Sequence, residues 1–415
     1  MIVLLAWERV RLERLRGKIP LRIGVTGTRG KSTVTRLIAA ALRESGRRIM
    51  AKTTGSKPVL IYPDGREQEI ARRGWPTILE GKKLLKEAAR SGADVLVAEL
   101  MSIRPDCLAA ETGGILRPQH LVITNARLDH MDEMGRTRAE IAKSLAAAVM
   151  ADSHVYVLDE EMHEEFGTAV AGKGARLIRV MSPNFRESRD PDAAVKKVPD
   201  PALQGDFDIR EDPPPFASAA AASRIDDFEE NVRLALAVAK GAGMDETVSY
   251  RGMAKRRADF GGLKVWRADL GNPLRTWHLA SAFAANEPES TRRALDAVRS
   301  MVSFRDKTII GLLNFRPDRG ERTRQWLKAV EGGFFHGFDR LFFLGAHVHS
   351  LRVRRLCRSS HFQAAVISGR NPEKIMMSIA SLTEGEAILI GMGNIGGLGE
   401  KMVNHWESTG RPLHA

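Results

Sequence analysis

The chain has 415 residues, a formal net charge of +13, 43% hydrophobic and 28% charged residues. That mix describes a globular chain and excludes a wholly disordered one, and the length suits two or three domains at roughly 100–200 residues each. Its two cysteines, Cys107 and Cys357, exclude a disulfide scaffold and fit a reducing compartment.

Residues 1–20 open with apolar Met1–Trp7 and continue into Arg9, Arg11, Arg14, Arg16 and Lys18. The apolar part is far short of the ~20 residues that cross a bilayer. The basic residues follow it, whereas in a signal peptide they come first. A cytoplasmic chain is expected. The segment reads either as an ordinary docked helix or as a peripheral contact with the inner face of the cell membrane or a membrane protein.

Residues 21–255 are expected to form the first domain. Leu21–Val25 is a short apolar strand; Val34, Leu37, Ile38, Ala41 and Leu42 then follow helical spacing, and Gly46 fits that helix's end. Ala93–Leu100, His120–Asn125 and Ser153–Leu158 are further strands, apolar enough to be covered on both faces. Thr77–Arg90 and Thr137–Met150 are the helices between them. This alternation predicts an α/β domain on a parallel sheet.

Pro183–Pro215 is rich in Pro, Asp and charge and reads as an exposed loop. Asp226–Gly241 reads as a helix capped by Asp226 or Asp227. Glycines 252, 261 and 262 interrupt the pattern. Residues 256–415 are expected to form a smaller Rossmann-like α/β domain, with strands at Thr308–Leu313, Arg340–Leu344, Ala364–Ser368 and Ala387–Gly391.

The most informative segment lies between the first strand and its helix. It reads Gly24-Val-Thr-Gly27-Thr28-Arg29-Gly30-Lys31-Ser32-Thr33. Glycines let backbone N–H groups turn toward a phosphate, and the following helix N-terminus adds a favourable partial charge. In such a loop Lys31 binds the β/γ phosphates and the Ser32 hydroxyl holds Mg²⁺. The strict G-x-x-x-x-G-K-[ST] pattern is missed at one position, where Val25 stands in place of glycine.

The variant T-G-T-R-G-K-S-T resembles the phosphate loop of the Mur ligase superfamily, ATP-dependent enzymes that join amino acids to carboxylates. Further landmarks follow in the family's order. Glu99 closes the strand ADVLVAEL and resembles the family's metal-binding Glu. Asn125-Ala-Arg-Leu-Asp129-His130 resembles its N-x-x-x-D-H motif, and Asn231 stands near a helix start, as does the family's adenine-contacting Asn. Lys52-Thr-Thr-Gly55, Asp129–Gly135, Phe283-Ala-Ala-Asn286, Asn314–Thr323 and Gly391–Gly397 are similar to the ligase subunits of poly-γ-glutamate synthases (PgsB/CapB type). The resemblance runs from about residue 21 to 403.

It implies a P-loop ATPase-like central domain followed by the Rossmann-like domain, with ATP and Mg²⁺ as cofactors. A carboxylate does not react with an amine at neutral pH; transferring the ATP γ-phosphoryl to it makes an acyl phosphate that an amine can attack. The protein must screen charge and align donor with acceptor. The implied catalytic residues are Lys31, Glu99 and His130. Gly27, Thr28, Arg29, Gly30, Lys31, Ser32, Thr33 and Asn231 are implied to hold ATP, and Ser32, Glu99 and His130 the metal. Arg316 and Asp318 of the second domain are implied to meet ATP when the domains of such enzymes close. Asp129 can orient His130 or bind metal through water.

Other polar residues are read from their chemistry. Thr53 and Thr54, placed where a strand begins, either donate to phosphate or substrate or form a polar turn. Arg72 and Arg73 either clamp the carboxylates of an acidic chain, since a guanidinium fork fits a carboxylate, or form an exposed basic pair. Gly391–Gly399 is either a close-approach loop or a plain one.

Two departures from the resembled family matter. The second-domain turn Ala282-Phe-Ala-Ala-Asn-Glu287 lacks the acidic residue of the D-Y-A-H-N-P-like turn, so ribose is expected to be held differently. About 20 residues precede the first strand, too few for the domain that binds UDP-sugar precursors in cell-wall Mur ligases. A simpler acceptor, glutamate or its polymer, is therefore expected.

The expected function is an ATP-dependent amide ligase that polymerises glutamate and releases ADP and phosphate; the resemblance implies an integral-membrane subunit as partner. The alternatives are a nucleotide-driven assembly or export subunit, since one loop serves both, and a folate-type polyglutamylating ligase. Nucleic acid is not an expected partner despite a pI near 9.9. The basic residues are dispersed, aromatics make up 6%, and no zinc finger or RNA-binding signature is present. A homo-oligomer is compatible with the sequence.

Overall fold

Leu21–Thr26 (β1) is buried from Ile23 onward, as its near-continuous apolar run requires of a strand covered on both faces. In the computed structural model it is the central strand of the first of two sheets. The structure describes residues 2–55, 57–72, 76–182, 228–257, 261–271, 275–359 and 363–413. Arg73, the 183–215 loop and the helix caps expected at Asp226 and Asp227 lie outside the described residues.

Two units are present, Met1–Asp259 and Phe260–Ala415. The first runs α1 (Ile2–Gly17), β1, α2 (Lys31–Arg43), β2 (Ile49–Thr53), β3 (Val59–Ile61), β4 (Glu67–Glu69), α3 (Glu80–Arg90) and β5 (Val95–Glu99). Next come α4 (Pro105–Ala109), a π-helical turn over Ala110–Leu116, β6 (His120–Ile123), α5 (Met131–Met134), α6 (Arg138–Ala146) and β7 (His154–Leu158). α7 (Glu164–Lys173), β8 (Arg176–Val180), α8 (Glu229–Gly241) and α9 (Glu246–Ala254) complete it.

The strand order is β4-β3-β2-β5-β1-β6-β7-β8. β2, β5, β1, β6, β7 and β8 are parallel, as the alternating pattern predicts. The β3–β4 edge is antiparallel, which the sequence reading missed because each strand is three residues long. The chain leaves β1 toward β2 and β5 on one side and later crosses to β6 on the other. Open α/β sheets bind ligands at the C-terminal edge of such a switch.

Helical spacing puts Val34, Leu37, Ile38, Ala41 and Leu42 of α2 in the core. They pack with α8 and α9 on one face of the sheet, against Ile23, Val25 and Val97. Each such side chain contributes roughly 1.5–3 kcal/mol when fully buried. The opposite face is covered by α1, α3 and the π turn through Leu12, Leu84 and Ile115, and by α4, α6 and α7 through Leu108, Leu145 and Phe166. α6 starts at a capping box, in which Thr137 and Glu140 each accept from the other's backbone N–H.

The second unit opens with an antiparallel hairpin, β9 (Lys264–Leu270) and β10 (Arg275–Ser281). It continues through α10 (Pro288–Met301), β11 (Thr308–Phe315), α11 (Gly320–Glu331), β12 (Arg340–Gly345), α12 (Leu351–Ser359) and β13 (Gln363–Val366). α13 (Pro372–Ser381), β14 (Ala387–Gly393), α14 (Leu398–Thr409) and the two-residue β15 (Arg411–Pro412) end it. The order is β13-β12-β11-β14-β10-β9-β15. All four expected strands are present, and the hairpin and β15 add an antiparallel edge. Trp326 and Val298 lie in the core on one face and Trp406 and Ile379 on the other. Among the described residues no helix is long and apolar enough to cross a membrane.

Candidate active site

β1 delivers residues 27–30 to the C-terminal edge of its sheet, and α2 begins at Lys31. Gly27 has φ +127° and Gly30 φ +78°. A Cβ on Gly27 would stand 2.1 Å from Thr124 Oγ1, and one on Gly30 2.7 Å from Asn231 Oδ1. Both positions need glycine for conformation and for space. No side chain caps α2, which leaves its first-turn N–H groups as donors for an anion.

The stretch after β6 fastens this loop. Asn125 Oδ1 accepts from Thr28 Oγ1 at 2.7 Å and from Arg29 N at 3.0 Å, and Asn125 Nδ2 donates to Arg29 O at 3.3 Å. Thr124 Oγ1 donates to Arg29 O, and Arg127 N donates to Thr28 Oγ1 at 3.0 Å. The Arg29 guanidinium lies 3.3 Å from Asp129 Oδ2. Arg127 is buried and pairs with Glu161 at 3.2 Å and Glu230 at 2.9 Å. Burial works against its charge, but the two carboxylates outweigh burial and hold its pKa above the usual arginine value. The Glu230 pair ties the first turn of α8 to this stretch, and Asn231 stands next to Gly30. Sequence reasoning quoted Asn125 and Arg127 as parts of a motif and gave them no role; their place one strand over from the phosphate loop was the available signal.

Lys31 Nζ donates to Gly27 O at 2.6 Å and Thr28 O at 3.4 Å. Ser32 Oγ donates to Glu99 Oε2 at 2.7 Å, and Thr54 N donates to the same oxygen at 2.6 Å. Glu99 is 3% exposed, while Thr33 is half-buried in the first turn of α2. Thr53 is buried, and its Oγ1 has no hydrogen-bond partner. Here the sequence reading needs correction. Thr53 ends β2 and Thr54 follows it, so neither starts a strand, and Lys52 precedes them in β2. They reach the site because β2 runs parallel to β5, so both strands finish at one edge.

His130 adopts φ +50° at the N-terminus of α5, and its Nε2 is 3.5 Å from Asp129 Oδ2. Among the described residues, Glu99, Asp129 and His130 do not gather into a three-donor group. Arg72 donates to Glu80 through Nε at 2.8 Å and Nη2 at 3.1 Å, so its fork faces a carboxylate of this chain.

In the second unit, Arg316 Nε and Nη2 donate to Asp318 at 2.9 and 2.7 Å. A Cβ on Gly396 would meet Arg316 Nη1 at 2.1 Å, which places Arg316 over the glycine-rich turn after β14. Asn314 and Asn394 cross-link β11 to that turn: Asn314 Nδ2 donates to Asn394 O at 2.6 Å and Asn394 Nδ2 to Asn314 O at 3.2 Å.

Comparison with known proteins covers both halves of the chain. Residues 25–190 match the family described as the Mur ligase middle domain, and residues 269–409 the poly-gamma-glutamate synthase CapB C-terminal domain. The PGA synthase CapB of Bacillus subtilis is 31% identical over 75% of this chain and 72% of its own length. The capsule biosynthesis protein CapB of Bacillus anthracis is 31% identical over 78% of this chain, which spans 63% of that relative. Among solved structures, a bifunctional folylpolyglutamate synthase/dihydrofolate synthase of Yersinia pestis, complexed with AMPPNP and Mn ion, has a TM-score of 0.63 at 15% identity, covering 97% of this chain and 92% of that one. MurF of Acinetobacter baumannii has a TM-score of 0.60 at 12% identity, covering 95% and 78%. With both halves of the chain matched and a relative 31% identical covered over 72% of its length, this chain belongs to the CapB family of poly-γ-glutamate synthases and carries the Mur ligase fold.

Proposed function

We propose that the chain is an ATP-dependent amide ligase that lengthens a poly-γ-glutamate chain. The observation that carries this reading is the meeting of Ser32, Glu99 and Thr54 N at the foot of an uncapped, glycine-bounded phosphate loop. The γ-phosphoryl of ATP passes to a glutamate side-chain carboxylate, giving an acyl phosphate and ADP. The amine of the next glutamate attacks the acyl carbon, the C–O bond to phosphate breaks, and the nitrogen loses a proton.

The loop's donors suit a divalent ion. Ser32 Oγ and Glu99 Oε2 are hard oxygens held 2.7 Å apart. Mg²⁺ accepts so small a protein set because it keeps several waters and takes phosphate oxygens as further ligands. When bound there, it supplies charge screening for the phosphates. Lys31 and the α2 N-terminus hold the β/γ phosphates, Asn125 keeps the loop's shape, and Asn231 is assigned to the nucleoside side. His130, oriented by Asp129, is the assigned ligand of a second ion. Arg316 and Asp318 are assigned to the nucleotide by the second unit.

The assigned partner is a membrane subunit of a polymer synthase, with this chain peripheral at the inner membrane face. The support is α1, which docks through Leu12 and Arg16 while Trp7 and Val10 stay 60% and 50% exposed beside exposed Arg9, Arg11 and Arg14.

The test supplies purified protein with ATP, Mg²⁺, glutamate and γ-glutamyl oligomers. A product one glutamyl residue longer, with one ADP per bond, is expected. ADP release with no new amide overturns the reading in favour of nucleotide-driven assembly or export.

A further inference from the structure

Lys52 is a misfit by packing alone. It projects to the same side of β2 as Met50, into the region of Leu84, Leu85 and Ile115, and is 2% exposed. Removing an ammonium from water costs several kcal/mol before its partner repays any of it. Its Nζ lies 3.1 Å from Glu80 Oε2, the first residue of α3. Arg72 grips the same carboxylate with two hydrogen bonds. Two cations thus share one anion.

A second carboxylate, this one buried, lies nearby. Glu111, on the π-helical turn, is 2% exposed and accepts from Ser102 Oγ at 2.7 Å and Ser102 N at 3.1 Å. Burial is the largest influence on it and pushes its carboxyl above the usual range, against those hydrogen bonds. The charge of Lys52 also acts on this carboxyl and draws it back down, so Glu111 belongs to the same cluster.

The cluster adjoins the reacting edge of the sheet. Lys52 pairs in register with Ala98, next to Glu99; Thr54, two residues on, donates to Glu99; and Met101 Sδ is 3.9 Å from Lys52 Nζ. π turns recur at functional sites, and this one sets Glu111 against the segment that follows Glu99.

We propose that Lys52 and Arg72 form a carboxylate subsite for the terminal residue of the acidic chain being extended, and that Glu80 fills it when that chain is absent. The inference rests on the ligase reading and names what holds the acceptor's end. An incoming carboxylate takes the two-pronged contact of Arg72 and the charge of Lys52, and Glu80 turns out to water.

The test is calorimetric binding of tri-γ-glutamate, in the presence of AMPPNP and Mg²⁺, against the same trimer with its terminal α-carboxylate capped as an amide. The free acid should bind wild type about tenfold or more tightly, the worth of a charge-assisted bidentate contact. Arg72→Gln, at the rim, and Lys52→Gln should each weaken the acid about tenfold and erase the preference. Glu80→Gln removes the competitor and should tighten binding about threefold or more; a purely structural Glu80 would give no gain. AMPPNP affinity measured on each variant reports whether it has folded, and Arg72→Gln stands in if Lys52→Gln has not. Unchanged preference in Arg72→Gln, or weaker binding in Glu80→Gln, overturns the subsite. A wild type that forms amide yet binds both trimers alike overturns the subsite and leaves the ligase reading standing; one that forms no amide overturns both.

Discussion

Ser32 Oγ donates to Glu99 Oε2 across 2.7 Å, joining the first turn of α2 to the last residue of β5. Two chemically different oxygens reach one point from two elements on either side of a strand pairing. Replacing either removes one of the oxygens proposed for the ion while the hydrophobic packing stays. Ser32→Ala and Glu99→Gln should each lower Mg²⁺-dependent turnover by about 10²-fold, the usual cost of one preorganised electrostatic contact. Raising Mg²⁺ should recover part of the Ser32→Ala loss. Lys31→Ala should abolish turnover. Initial rates of ADP release across a Mg²⁺ series check all three.

Asn125 makes a prediction that separates shape from chemistry. Its amide satisfies Thr28 Oγ1, Arg29 N and Arg29 O at once. Asn125→Ala takes the acceptor from Arg29 N and one bond each from Thr28 Oγ1 and Arg29 O, which keep Arg127 N and Thr124 Oγ1, at about 1–3 kcal/mol. The loop that loses them is the proposed nucleotide site, so ATP affinity should fall about tenfold or more while the melting temperature drops only a few degrees. Nucleotide titration beside a thermal melt reads both. Equal loss in a melt-matched variant elsewhere would show that stability alone carries the effect.

Much of the candidate site's geometry was legible because a glycine-bounded turn between strand and helix follows local rules. Gly27, Gly30, Lys31 and Ser32 are fixed by one turn, and the sequence displays the turn directly. Glu99 and the Asn125–His130 stretch were legible as strand ends, since parallel strands deliver their C-termini to one edge. Other contacts depend on folding at a distance. Nothing near Lys52 in the chain announces Glu80, and nothing near Arg127 announces Glu161 or Glu230. The β3–β4 hairpin and β15 were missed because strands of two or three residues carry no readable period. The π turn over Ala110–Leu116 was missed because a single turn carries no readable period.

His120 makes the first unit sensitive to acid. Its Nδ1 lies 2.9 Å from Tyr156 Oη, and the His154 ring stands edge-on at 5.1 Å. Burial first, and His154 second, bring its pKa down to about 4. The unfolded imidazole titrates near ~6.5, so between these values the unfolded chain binds the extra proton. Stability is therefore fully present above pH ~6.5 and is lost as pH falls toward 4, by about 2 kcal/mol at pH 5. Urea unfolding at pH 7.5 and 5 should show that loss, and His120→Gln should flatten it. A wild-type curve that does not change over this range removes His120 from the account.

Two helical glycines make opposite predictions with the same substitution. A Cβ on Gly252 in α9 would lie 2.5 Å from Ala40 O and 2.9 Å from Glu44 Cβ, both on the neighbouring α2 segment. A backbone oxygen has no rotamer by which to yield, so Gly252→Ala must push α9 off α2, at about 1–3 kcal/mol. Because α2 also carries Lys31 and Ser32 in its first turn, nucleotide affinity should fall together with stability. Gly172 in α7 has nothing within 4 Å of the added Cβ. Gly172→Ala should therefore gain up to about 0.5–1 kcal/mol from helix propensity alone and leave nucleotide affinity unchanged. Melting temperature and AMPPNP binding on the two variants, read side by side, distinguish a glycine kept for close approach from one the helix can do without.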